Sequence, residues 1–108
     1  MYETEELNIM GNIKLIENYK NYLLSSVADI FMTMSKGSRM DTLEAQEEIS
    51  EIILLSYLLG SKLGIDYSSI DETVLKRLKV ALAKGGSDDK KCQDYAGLIA
   101  YLKKNHIE

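Results

Sequence analysis

Four glutamates, Glu44, Glu47, Glu48 and Glu51, recur at helical spacing near the middle of the sequence. At about 100° per residue they fall within roughly 100° of one helix face. No lysine or arginine lies between Asp41 and Lys62 to neutralise them. Like charges at such spacings repel by about 0.2–0.5 kcal/mol per pair. A divalent cation removes that repulsion, and Mg²⁺ is commonly held by a few carboxylates, water and substrate phosphate. A plainer role has the same composition, because carboxylates early in a helix also favour its positive end.

The helix that carries this stripe must be positioned by others, and capping signals divide the chain into four helical segments. The first is expected from about Glu6 to Ser35, with Ile9, Ile13, Ile16, Leu23, Val27, Ile30 and Met34 on one seam and Lys20 interrupting it. Gly37 ends it. The second begins at Asp41, which with Glu44 forms a capping-box-like start, and runs to Gly64. Its second half, Ile52 to Leu63, is apolar on nearly every side and so calls for enclosure by neighbours. The third follows the turn Gly64-Ile65-Asp66, with Asp66 or Ser68 as N-cap and Ile70, Val74, Leu78 and Ala81 as its buried stripe. Gly85-Gly86 ends it. The fourth spans about Asp88 to Lys104, with Tyr95, Leu98, Ile99 and Leu102 inward. Short connections make sequential neighbours antiparallel. The expected fold is an all-α four-helix bundle forming one domain over residues 1–108.

Composition agrees. The 108 residues are 45% hydrophobic and 28% charged, within the globular range, and contain no proline to break long helices. A net charge of −4 without a basic block argues against nucleic acid or an anionic membrane surface as partner. No unbroken apolar run approaches a membrane span; Ile52 to Leu55 is far short of one. The start MYETEELNIMGN is acidic where a signal peptide is basic, and a lone cysteine suits a reducing compartment, so the cytoplasm is the expected location.

The segment EEISEIILLSYLLGSKLGIDYSSIDETVLKRL resembles the second conserved region of the MazG-like, all-α NTP pyrophosphohydrolases. There an E-x-x-D motif on a helix precedes an apolar run, an LGI(D/S) turn and a third helix. Glu48-Ile49-Ser50-Glu51 stands at the motif, with glutamate for the final aspartate. NIKLIENYKNYLLSSVADIF resembles the first helix of the short Firmicutes-type branch, and DYAGLIAYL its ending. The family's first metal motif, E-x-x-E, falls at Ser26-Val27-Ala28-Asp29, where Asp29 can still ligate a metal and Ser26 stands in place of a carboxylate. The Lys-Asn pair of helix three falls near Val80-Ala81 and is missing.

The resemblance implies Mg²⁺ (or Mn²⁺) held by Asp29, Glu48 and Glu51, with Glu44 in support and Glu47 as candidate general base. Arg77, Lys79 and Lys84 are the cations expected to meet the triphosphate in place of the missing pair. The implied reaction converts an NTP to NMP and pyrophosphate, and the implied assembly is a homodimer. The departures at Ser26 and Val80-Ala81 leave a second reading, a helical binding or regulatory module without turnover; a bundle with no small-molecule site is a third. His106 near the chain end is read as a solvated position, and Cys92, with no histidine or second cysteine nearby in the sequence, as a packing residue. Gly85-Gly86 lacks the rest of a P-loop.

Overall fold

The turns define the architecture. Asp41 adopts an extended conformation and its carboxylate accepts from the backbone N–H groups of Leu43 and Glu44 at 2.9 and 3.4 Å. Those donors have no partner within the helix, so the aspartate starts a helix at Thr42. At the other end Gly64 has φ of +85°, its N–H donates to the Ser61 carbonyl at 3.1 Å, and Ile65 N–H donates to Gly60 O at 2.9 Å. This is a Schellman stop, which places a glycine in the left-handed region because a side chain there is strained. The earlier turn uses Gly37 in the same way, at φ +59°, to open a short 3-10 turn over Gly37–Arg39.

The computed structural model describes residues 2–85 and 90–106, with side chains described over 11–85 and 90–105. Among the described residues there are four α-helices and no strand: α1 (Tyr2–Met34), α2 (Thr42–Lys62), α3 (Tyr67–Lys84) and α4 (Lys90–His106). Gly86 and Asp88, and the side chains of Ile9 and His106, lie outside the described residues. The chain divides into two compact units, residues 1–66 and 67–108.

In the first unit α1 packs on α2. The buried seam of α1 is Ile16, Tyr19, Leu23, Ser26, Ile30 and Thr33, in alternating steps of three and four. Ile16, Leu23, Val27 and Ile30 of the expected seam lie wholly or partly buried, but Ile13 and Met34 do not. Both are 56% exposed, while Thr33 is 2% exposed. On α2 the covered face is Ala45, Glu48, Ile52, Leu55 and Leu59, with Leu55 and Ala45 the most buried. The apolar half of α2 is not covered on all sides by α1, since Ile53 and Leu54 remain exposed, as does Ile49 just before it.

In the second unit α3 packs on α4. Leu75, Cys92 and Ile99 are its buried side chains. Leu75 takes the central position expected for Val74, which is exposed, and Leu98 is exposed as well. Cys92 packs against the α3 terminus so closely that a Cβ built on Gly85 would lie 2.6 Å from its Sγ. That contact fits the cysteine as a packing residue. No described helix is long and apolar enough to cross a membrane.

Removing either signal that bounds α2 weakens the fold. Asp41→Ala and Gly64→Ala are each expected to cost about 1 kcal/mol and to lower the melting temperature by about 4–8 °C. Unchanged melting curves would show that the caps are incidental.

Candidate functional site

The end of α1, the turn after it and the first two turns of α2 bring several polar side chains together. Thr33, on the buried seam, donates from Oγ1 to Glu44 Oε1 at 2.9 Å. Lys36, just beyond α1, donates from Nζ to the same oxygen at 3.3 Å. The Thr33–Glu44 bond sets the register of an antiparallel pair. One turn further from the loop, Asp29 of α1 comes level with Glu48 of α2, since both helices advance about 1.5 Å per residue. Asp29, Thr33, Lys36, Glu44 and Glu48 accordingly line one open depression of about 320 Å³.

The carboxylates in this depression are not equivalent. Glu44 Oε1 has two donors. Glu48 Oε1 is fully enclosed and has no hydrogen-bond partner. An enclosed carboxylate oxygen without a donor carries an uncompensated desolvation cost, of order 1–3 kcal/mol or more. A bound cation relieves that cost. Mg²⁺ asks for only one or two protein carboxylates when water and phosphate complete its shell. Among the described residues, no three His, Cys, Asp or Glu side chains converge as a metal-ligand set. The carboxylates present would suit only a cation that takes few protein ligands, with Glu48 half-buried and Asp29 on the exposed rim.

The stripe of four glutamates separates into two pairs. Glu44 and Glu48 turn toward α1 and are half-buried, whereas Glu47 and Glu51 lie on the exposed flank of α2. Neither of the latter lines the depression. One more turn along the same register, buried Ser26 comes level with Glu51 and Ile52. Arg77, Lys79 and Lys84 lie on α3 in the second unit, where Arg77 and Lys84 line an open depression with Val74, Leu78 and Ala81.

Sequence reasoning missed Thr33 and Lys36. Thr33 carried a faint signal, a hydroxyl three residues after Ile30 on an otherwise apolar seam. Lys36 carried none, because its carboxylate partner is eight residues away across a turn.

A family model described as MazG-like family matches residues 9–95. The matched stretch covers most of the chain and extends through both units. No curated protein and no solved structure matches the chain.

Thr33→Val keeps the shape of the side chain and deletes the donor to Glu44. Loss of one hydrogen bond to a charged group is expected to reduce unfolding free energy by about 1.5–3 kcal/mol, read as a lower urea midpoint. A midpoint equal to that of the unmodified chain would remove the bond from the account.

Proposed function

The chain belongs to the MazG-like family, and from that premise we propose that it is a Mg²⁺-dependent nucleoside triphosphate pyrophosphohydrolase. The observation that carries this reading is the enclosed, unpartnered Oε1 of Glu48 in a depression shared with Asp29. Family membership supports a fold of the nucleotide pyrophosphohydrolase type; the activity and the metal are our proposal.

Glu48 and Asp29 would hold Mg²⁺ or Mn²⁺, with Glu51 and Glu44 as further carboxylates of the expected set. When bound, such a cation neutralises triphosphate charge and lowers the pKa of its water. The residues of the chain do the rest. Thr33 orients Glu44 from the buried seam. Glu47, exposed and outside the depression, is proposed as the proton acceptor for the attacking water. Arg77, Lys79 and Lys84 are proposed as phosphate-binding cations. Water adds at the α-phosphorus, the bond to the bridging α–β oxygen breaks, and pyrophosphate leaves, giving NMP and a released proton.

Buried Ser26 favours a second reading. It occupies the seam position where the family motif has a carboxylate, which weakens a two-layer acidic site. On this reading the chain binds nucleotide and does not turn it over. We further propose a homodimer in the cytoplasm, in which a second copy covers Ile49, Ile53 and Leu54 of α2.

The two readings separate in one assay. With Mg²⁺ or Mn²⁺ and a panel of NTPs, the first expects pyrophosphate release that falls by about 100-fold or more in Glu48→Gln, at or above the loss typical of residues that merely support metal ligands. Nucleotide-dependent thermal stabilisation without release would select the second. Full activity in Glu48→Gln would overturn the site. A monomer in light scattering at micromolar concentration would contradict the dimer.

A further inference from the structure

Lys36 is the single cationic side chain lining the depression among the described residues. It stands beyond the last turn of α1, with its Nζ 3.3 Å from Glu44 Oε1. Both partners are half open to solvent, at 53% for Lys36 and 44% for Glu44. An ion pair so exposed is weak, on the order of 0–1 kcal/mol, and its lysine is free to exchange partners.

Glu44 does not depend on Lys36 for its placement. Its Oε1 also accepts from the hydroxyl of Thr33, which is 2% exposed and fixed on the α1 seam. Departure of Lys36 leaves that oxygen hydrogen-bonded. Glu48, which lines the same depression, has an enclosed Oε1 with no donor. The site thus holds one carboxylate with a spare donor and one with none. A lysine ammonium is a point charge with three rotatable donors on a four-carbon tether, suited to passing from one anion to another.

We propose that Lys36 is the tethered counter-ion of this carboxylate site, bound to Glu44 while the site lacks a divalent cation and transferred to the phosphate of the incoming nucleotide once the cation takes the carboxylates. The ligand in this proposal rests on the pyrophosphohydrolase reading; the exchange of partners rests on the geometry of Lys36, Glu44 and Thr33. Lys36 is a positioning residue for the metal and a binding residue for the phosphate, assigned from the first unit alone and separate from Arg77, Lys79 and Lys84.

The test measures the two affinities apart from turnover. Calorimetry at low ionic strength, where exposed charge pairs are least screened, gives Mn²⁺ binding without nucleotide. A second titration gives inorganic tripolyphosphate binding with Mg²⁺ present. Lys36→Met removes the competing charge and retains the aliphatic stem. It is expected to bind Mn²⁺ a few-fold more tightly, up to about 5-fold, and tripolyphosphate several-fold more weakly. Lys36→Arg is expected to restore both values toward those of the unmodified chain, which a merely structural role at this half-exposed position would not require. Equal or weaker Mn²⁺ binding by a folded Lys36→Met, or undiminished tripolyphosphate binding, overturns the assignment of Lys36 and leaves the pyrophosphohydrolase reading in place. Failure of the unmodified chain and of Lys36→Met alike to bind either probe overturns both.

Discussion

The hydrogen bond from Thr33 to Glu44 is the interaction on which the first unit turns. It joins a nearly inaccessible hydroxyl on α1 to a carboxylate in the first turn of α2. A donor that deep needs an acceptor, and a carboxylate facing a helix partner needs a donor. Satisfying both groups at once locks the antiparallel register. A slip by one residue would turn Thr33 away from Glu44 by about 100° and take Asp29 off the level of Glu48. Asp41 and Gly37 bring the helices back upon each other, but it is the Thr33 bond that decides which residues meet.

That register yields an uneven acidic site. Nearest the loop, Glu44 is restrained by Thr33, and Lys36 meets the same oxygen from the exposed side. At the next level Glu48 is enclosed and lacks a donor, with Asp29 beside it on the rim. At the level beyond, Ser26 replaces the carboxylate that the family motif places on α1, and Glu51 is exposed. Under the proposed function, Glu48 and Asp29 are the carboxylates left to hold a cation. A site with so few protein ligands would bind a metal weakly by itself and gain from ligands that a triphosphate brings.

Much of the helical framework was legible because its signals are local. Asp41 caps α2 through donors two and three residues away, and Gly64 closes it through the left-handed conformation that glycine accepts. The phase of the buried faces was less legible. The α1 seam ends on Thr33 instead of Met34, and the α3 stripe centres on Leu75 instead of Val74. Each shift is a single residue, and it is set by the packed partner, which a helix's own periodicity does not reveal. The same limit applies to the site. Spacing alone grouped four glutamates on one face; only the position of α1 separates Glu44 and Glu48 from Glu47 and Glu51. The roles of Thr33 and Lys36 depend on contacts across a turn, where no sequence period applies.

The proposed function requires a divalent cation between α1 and α2 at the level of Asp29 and Glu48. Paramagnetic broadening by Mn²⁺ of backbone amide NMR signals tests it most directly, because broadening falls steeply with distance from the ion. Selective loss of signals around Asp29, Thr33, Glu44 and Glu48, abolished in Glu48→Gln, is the predicted result. Broadening spread evenly over the acidic surface, or persisting unchanged in Glu48→Gln, would contradict it.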